Sequence, residues 1–173
     1  MTPKIVLLER RTALAAFGGL LASACATGAI GANNKLGNAA AMRNKTNYLA
    51  AKAAYNAREL DRCLAYYASD HQIMSKPTPP GRAQIRAFFE TTFATWPDVQ
   101  IVVVNAVAEG DWVMGRSIST ATHSAPVLGV APTGKKIESA FWDLHRFNEQ
   151  GLIVQTWNLT DNLSITQQLG VVS

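Results

Sequence analysis

Apolar residues in the first half of the chain recur three and four positions apart, which is the spacing of amphipathic helices. This period predicts helices over residues 44–58, 61–68 and 82–95. Residues 71–74 are predicted to be extended. A proline-rich loop, 76–81, follows them, because proline is excluded from helix interiors and central strands.

From residue 99 onward the period changes to two, and the alternation predicts strands over 99–108, 112–122, 136–147 and 151–159. Gly110 and Gly151 mark hairpins between consecutive strands. Three helices followed by a meander of long strands predict an α+β fold. Long antiparallel strands twist and curl, so we expect the helices on the concave side to enclose a pocket for a small molecule.

The first 26 residues are interpreted as an export signal. Arg10 and Arg11 precede an apolar run, 13–22, which is too short to span a bilayer. The arginine pair resembles the twin-arginine signal, which a receptor reads, and an ordinary secretory signal is the alternative. We therefore expect an exported protein, either periplasmic or anchored at the membrane surface.

Small residues before Cys25 resemble a lipoprotein processing site. Either Cys25 becomes a lipidated N-terminus, or the ordinary peptidase cuts nearby. Residues 27–43 are rich in Gly, Ala and Asn and are predicted to be a flexible spacer. The mature domain is then 44–173, and Cys63, its only cysteine, is expected in the core.

Length and charge narrow the function classes. A chain of 173 residues suits one domain. The net charge of +4 comes largely from basic residues in the first 45 positions, and the remainder is nearly balanced. Basic and aromatic residues do not interleave along one face of that remainder, so nucleic-acid binding is not expected.

The last two predicted strands carry the candidate chemistry. Alternation places the side chains of Phe141, Asp143 and His145 on one face of the third strand. On the fourth strand it groups Gln155 and Trp157 with Ile153, Leu159 and, if the strand continues, Asp161. Apolar walls with a few polar groups are typical of a ligand pocket, in which burial can raise the pKa of a carboxyl. The alternative is that Asp143 and His145 pair on a solvated sheet face.

The histidines do not suggest a metal centre, because no two of them have metal-ligand spacing. His123 adjoins a Pro-Thr-Gly loop, where it could reach the pocket mouth or bond a loop carbonyl. His71 follows the second predicted helix, and a structural role in a turn is expected for it. The sequence also contains no glycine-rich phosphate loop and no nucleophile elbow.

An ordered series of motifs over about residues 44–171 resembles the SnoaL-like polyketide cyclase family. The motifs are Gly81-Arg82, Glu109-Gly110-Asp111-Trp112-Val113, Thr122-His123, Pro132-Thr133-Gly134-Lys135, Arg146-Phe147 with Gly151 and Ile153, Trp157 with Asp161, and Gln168-Leu169-Gly170. The resemblance implies the cone-shaped α+β barrel of the ketosteroid isomerase and nuclear-transport-factor superfamily. Three helices would then wrap a curved antiparallel sheet around one pocket.

The resemblance also implies a chemistry: aldol-type ring closure or isomerisation of a cyclic or polyketide-like carbonyl compound, without metal or cofactor. Asp161 matches the family's general acid/base, and His145 its nearby histidine. Asp143 and Gln155 would hold the substrate or stabilise an enolate, and Trp157 would stack on a flat ring. Phe141 and His123 complete the expected substrate-binding set. A homodimer through the outer sheet face is implied as well, on the side of Trp142 and Val154.

Two alternatives remain at this stage. A set of Asp143, Arg116 and Asp161 resembles limonene epoxide hydrolase, in which an activated water opens an epoxide. A periplasmic module that binds an apolar ligand without reacting is the other. Polyketide cyclisation normally takes place in the cytoplasm, so an exported member is expected to act on another compound or only to bind.

Overall fold

The computed structural model describes residues 27–127 and 129–172, so the predicted signal segment and Cys25 lie outside the described part of the chain. The described residues form four helices and five strands. In chain order these are α1 Thr27–Asn56, α2 Leu60–Leu64, β1 Tyr67–Ile73, α3 Arg82–Thr95, β2 Gln100–Glu109, β3 Trp112–Thr122, β4 Lys136–Phe147, β5 Ile153–Thr160 and α4 Asn162–Leu169. The α+β prediction is confirmed, with one helix more than expected.

The strands form one sheet in the order β1-β5-β4-β3-β2. The four predicted strands make the antiparallel meander, and β1 adds to its edge by pairing in parallel with β5. The second predicted helix was wrong in its length, because α2 ends at Leu64 and Tyr67 already pairs with Ile153. Pairing with β5 here overrides a local pattern that favours helix.

Helix α1 begins at Thr27 rather than at residue 44, so the segment 27–43, predicted to be a flexible spacer, is helical. Two observations explain why the chain is helical around residue 43. Ala41 and Asn44 are buried, and Asn44 Nδ2 donates a hydrogen bond to the carbonyl of Gly110 at 3.3 Å. Adding residues to an existing helix costs little, and alanine is the best helix former. Among the described residues, no helix is both long and apolar enough to cross a membrane.

Helices α1 and α3 cover the concave face of the sheet. The apolar face predicted for α3 is confirmed at Ile85 and Phe89, which are buried against Tyr55 and Tyr67 in one core cluster. Cys63 is buried in the same cluster, as expected.

Strand β5 contains a bulge that changes which side chains face the core. Phe147 pairs with Ile153 but Arg146 pairs with Gln155, which leaves Val154 as an extra residue. Ile153 and Thr156 therefore both point inward and are buried. An extra residue in a strand reverses the alternation beyond it.

Candidate functional site

A cavity of about 230 Å³ lies between the concave face of the sheet and helices α1 and α3. Most of its wall is apolar, with Tyr55, Phe88, Phe89, Trp96, Val99, Ile101, Ile137, Phe141 and Ile165 among the lining residues. Polar groups enter it from Lys52, Asp143, His145 and Thr156. Since an engineered apolar cavity of about 150 Å³ holds benzene, this volume suits a ligand of one or two rings.

Asp143 is the centre of the polar groups, and only 1% of its surface is exposed. Tyr48 Oη donates to Asp143 Oδ1 at 2.8 Å, and Lys52 Nζ donates to Oδ2. His145 Nε2 lies 3.1 Å from the same Oδ2. Tyr48 and Lys52 are four residues apart on α1, and Asp143 and His145 two apart on β4, so one helix face meets one strand face.

The charge of Asp143 is retained inside the fold. Burial alone would raise the pKa of Asp143, but the Lys52 ammonium, the charge of His145 and their hydrogen bonds together hold that pKa well below its usual range. Burial, with the charge of Asp143 next, raises the pKa of Tyr48, which keeps its proton as a donor. The cavity therefore contains an ionised carboxylate, whereas the sequence suggested one with a raised pKa.

The hydrogen-bonded chain continues beyond His145. His145 Nδ1 lies 2.9 Å from Thr156 Oγ1, and the same oxygen lies 2.9 Å from His71 Nε2. Burial, followed by the charge of His145, lowers the pKa of His71 to about 4. The expectation of a turn role for His71 is wrong, because the residue is on β1 and fully buried.

Gly115 on β3 makes room for this cluster. A Cβ at this position would lie 1.9 Å from Tyr48 Oη and 2.8 Å from Asp143 Oδ1. Atoms that are not bonded do not approach so closely. The absence of a side chain at Gly115 therefore lets the Tyr48 hydroxyl reach the carboxylate.

Strand β4 carries its predicted residues as expected, with Phe141, Asp143 and His145 facing the cavity. Gln155 and Trp157 do not. Trp157 packs against Trp112 at 5.6 Å on the convex side, and Gln155 Nε2 lies 3.8 Å from Met74 Sδ. Placing them in the pocket was wrong because the bulge at Val154 reverses the alternation of β5.

Asp161 does not line the cavity either. Strand β5 ends at Thr160, and the exposed Asp161 caps helix α4 by accepting a hydrogen bond from the Ser164 amide at 2.9 Å. Arg116 is exposed on the convex side of β3, opposite to Asp143. The structure thus does not assemble the Asp143, Arg116 and Asp161 set that an epoxide-hydrolase-like site requires.

The remaining candidates have structural contacts. His123 is buried, and its Nδ1 lies 3.0 Å from Thr133 Oγ1 and accepts from the Thr133 amide at 3.2 Å, so it fixes the loop and does not line the cavity. Burial raises the pKa of the Cys63 thiol to about 11, which disfavours a nucleophilic thiolate. Within residues 27–127 and 129–172, no three His, Cys, Asp or Glu side chains are placed to hold a metal ion.

Sequence reasoning did not single out Tyr48, Lys52 or Thr156 as members of the cluster, and it gave His71 a role in a turn. A signal existed for the first two, since Lys52, four residues after Tyr48, places a charge on the mostly apolar face of α1. No local signal indicated the other two. Their placement depends on the parallel pairing of β1 with β5 and on the bulge.

The fold and this site define a small cone-shaped α+β protein with a ligand-sized cavity and a buried carboxylate at its polar end. The chain belongs to the SnoaL-like polyketide cyclase family, whose model matches residues 45–169. Among curated protein sequences none matches the chain.

Solved structures support the same conclusion. IdmH, a proposed polyketide cyclase from Streptomyces antibioticus, is 29% identical, with a TM-score of 0.65 over 74% of this chain and 99% of its own. AclR, a proposed hydroxylase from Streptomyces galilaeus, is 26% identical, with a TM-score of 0.69 over 77% of this chain and 88% of its own. A proposed SnoaL-like polyketide cyclase from a Jannaschia species, at 20% identity and a TM-score of 0.67 over 76% and 94% of the two chains, supports the fold alone.

Proposed function

We propose that the protein binds a small cyclic carbonyl compound in the cavity and catalyses proton transfer at the carbon beside the carbonyl. The observation that carries this proposal is the ion pair of Lys52 and Asp143, which lines a mostly apolar cavity. An anion beside a cation is the arrangement that proton abstraction and enolate stabilisation require. Membership of a cyclase family agrees with this chemistry.

In the proposed step, Lys52 donates a hydrogen bond to the carbonyl oxygen and Asp143 takes a proton from the adjacent carbon. The C–H electron pair becomes the new C=C bond, and the carbonyl π electrons move to the oxygen, where the Lys52 charge stabilises them. Returning the proton to a different carbon isomerises the substrate. Attack of the enolate carbon on a second carbonyl of the same molecule closes a ring instead.

The low pKa of Asp143 is compatible with its role as a base, because the reacting ligand weakens the positive charge that lowers this pKa. The Lys52 charge is the largest of the influences that lower that pKa. When negative charge develops on the ligand oxygen, it neutralises part of the Lys52 charge, and the pKa of Asp143 rises as the proton arrives. His145 has both nitrogens engaged, so it orients Asp143 rather than touching the substrate.

Deuterium exchange tests the proposal without knowledge of the natural substrate. Cyclohexanone and 2-tetralone, one-ring and two-ring ketones, are incubated with the protein in D₂O, and loss of the α-proton signals is followed by NMR. We expect exchange above the buffer rate, reduced at least about 100-fold in Asp143→Asn. Asp161→Asn is the matched control and should retain the wild-type rate. Equal rates in wild type and Asp143→Asn would reject the assignment.

A non-catalytic binding module is the second candidate. It is favoured by the three side-chain hydrogen bonds that already satisfy Asp143 in the free protein. The same ketones distinguish the two functions. Ligand-induced shifts of the cavity side chains, without exchange above the buffer rate, would support a module that only binds.

We further propose that the protein forms a homodimer through the convex face of the sheet. Large apolar side chains are exposed there on several strands, namely Val102, Val104, Val107, Trp112, Met114 and Leu159. Exposed apolar patches of this kind mark interaction sites. Met114→Lys should shift the protein to monomer in analytical ultracentrifugation, whereas Leu163→Lys, which changes another exposed apolar residue on α4, should not. A monomeric wild type would reject the dimer.

Export is proposed from the N-terminal residues alone. It is supported by the pair Arg10-Arg11 before the apolar run 13–22 and by the small residues before Cys25. Replacing both arginines by lysine should retain the protein in the cytoplasmic fraction of a host with a twin-arginine pathway. Mass spectrometry of the exported protein, compared with Cys25→Ser, shows whether a lipid is attached.

A further inference from the structure

We propose that His71 is a positioning residue which acts through Thr156 to set the ring tautomer of His145, and thereby the hydrogen bond that orients Asp143. The inference deepens the proposed function and rests on it for its role in catalysis. Its structural basis is the continuous chain from His71 through Thr156 and His145 to Asp143, which connects strands β1, β5 and β4. All four residues are buried.

The contact with Asp143 determines which group donates each hydrogen bond between these four residues. An ionised carboxylate only accepts, so His145 Nε2 must carry a proton. When His145 is neutral, its Nδ1 accepts from the Thr156 hydroxyl. The Thr156 oxygen then accepts from His71 Nε2–H, and His71 is left with an unprotonated Nδ1, which is buried and has no partner among the described residues.

Protonation of His145 reverses both hydrogen bonds of Thr156, while His145 Nε2–H still donates to Asp143. His145 Nδ1–H then donates to Thr156, and Thr156 donates to His71 Nε2. Two protons move along the chain in this change. The hydroxyl proton of Thr156 passes to His145 Nδ1, and the Nε2 proton of His71 passes to the Thr156 oxygen. The proton added from outside then resides on His71 Nδ1, so the proton count balances. The unpartnered Nδ1 of His71 can accept that proton because no donor occupies it among the described residues.

The surroundings of His71 disfavour a positive charge on its ring, because burial and then the charge of His145 lower its pKa. The ring of Tyr67 lies perpendicular to that of His71 at 5.0 Å, and the charges that act on the pKa of His71 are those of His145, which lowers it, and of Asp70, which raises it. His145 faces Asp143 and the Tyr48 ring, whose centroid lies 5.3 Å from its own. Lys52 on α1 also contacts Asp143. His71 therefore responds by changing tautomer while it stays neutral.

NMR of the free protein tests the relay. With ¹⁵N-labelled histidine, two-bond ¹H–¹⁵N correlations report which ring nitrogens carry protons, and no ligand is needed. Well above the His71 pKa of about 4, where His71 is neutral, we expect only two combinations: neutral His145 with His71 protonated on Nε2, or cationic His145 with His71 protonated on Nδ1. A neutral His145 together with His71 protonated on Nδ1 would overturn the proposal, even if it were observed at only one pH.

Two substitutions at Thr156 separate the relay from packing. Thr156→Val keeps the shape and removes the hydroxyl, so the tautomer of His71 should no longer follow the charge of His145. Thr156→Ser keeps the hydroxyl and should preserve the coupling. Identical tautomers and titrations in the two variants would contradict the proposal, and if the valine variant does not fold, the wild-type combinations alone decide it.

The relay and the proposed function fail in different experiments. The tautomer measurement needs no reaction, so coupled tautomers without ketone exchange would leave the relay in place and reject catalysis. If both hold, Thr156→Val should change the pH profile of deuterium exchange and Thr156→Ser should not. Exchange with the wild-type pH profile in Thr156→Val would show that the relay does not position the catalytic carboxylate.

Discussion

Filling the space above Gly115 is the sharpest test of the buried cluster. In Gly115→Ala the new Cβ would lie 1.9 Å from Tyr48 Oη and 2.6 Å from Tyr48 Cζ. Tyr48 is fully buried, so its ring cannot move into solvent and must shift within a packed core. The hydroxyl then loses its 2.8 Å contact with Asp143.

The expected loss of stability in Gly115→Ala is the sum of two costs. A lost hydrogen bond to a charged group costs about 1.5–3 kcal/mol, and overpacking a core costs about 1–3 kcal/mol. We therefore expect Gly115→Ala to lower the free energy of unfolding by about 2.5–6 kcal/mol. Urea denaturation followed by circular dichroism measures it. Gly37→Ala is the control, because Gly37 is an exposed helical glycine with no atom within 4 Å of the added Cβ, and alanine should there be neutral or stabilising.

A double-mutant cycle identifies the clash itself. Tyr48→Phe removes the oxygen that lies closest to the new Cβ, so Gly115→Ala should cost less in that background, with a coupling of at least about 1.5 kcal/mol. Additive effects, or a Gly115→Ala variant within about 1 kcal/mol of wild type, would show that the Tyr48 hydroxyl is not held against Asp143 in the way described.

Three further predictions use the same measurements. Lys52→Met leaves the buried Asp143 charge unpaired and should cost about 3–5 kcal/mol in urea denaturation, most of which Lys52→Met combined with Asp143→Asn should recover. The pKa of His71 is about 4 in the fold against an ordinary 6.5. The unfolded chain therefore binds more protons between these values, and stability should fall by about 2.5 kcal/mol between roughly pH 7.5 and 4.5. His71→Gln should flatten that profile, and an unchanged acid slope would contradict the assignment. Asp161→Ala should lower the free energy of unfolding by about 1 kcal/mol through loss of a helix cap and leave ketone exchange unchanged, whereas a lost activity would restore Asp161 as the catalytic candidate.

The parts of the site that the sequence could predict are those on uninterrupted elements. Phe141, Asp143 and His145 alternate along one regular strand, so their common face follows from the period alone. The same argument failed for strand β5, because one extra residue, Val154, moves the side chains that follow it to the opposite face of the sheet. A bulge is set by the pairing of two strands, and the residues of β5 alone do not show at which position the alternation reverses.

The end of β5 was a different kind of error. Asp161 three residues before Ser164, with Gly170 after the apolar Leu169, carries the cap signals of a short helix. Continuing the strand to Asp161 ignored those signals and placed the carboxylate on the wrong element. Lys52 could have been singled out on α1, but its partner is 91 residues further along the chain. Only the fold shows which carboxylate it meets.

The energetics of the cluster give a reason to connect it with function. A buried ion pair contributes little net stability, because desolvation offsets the attraction, and well-packed apolar residues of similar volume often do better. The void of about 230 Å³ beside it lowers stability further, since its lining atoms lack packing partners. A fold optimised for stability alone would fill the void and replace Lys52 and Asp143. Under the proposed function, a ligand that fills the cavity and places its oxygen against Lys52 would offset both costs, which connects the cluster and the void as one site.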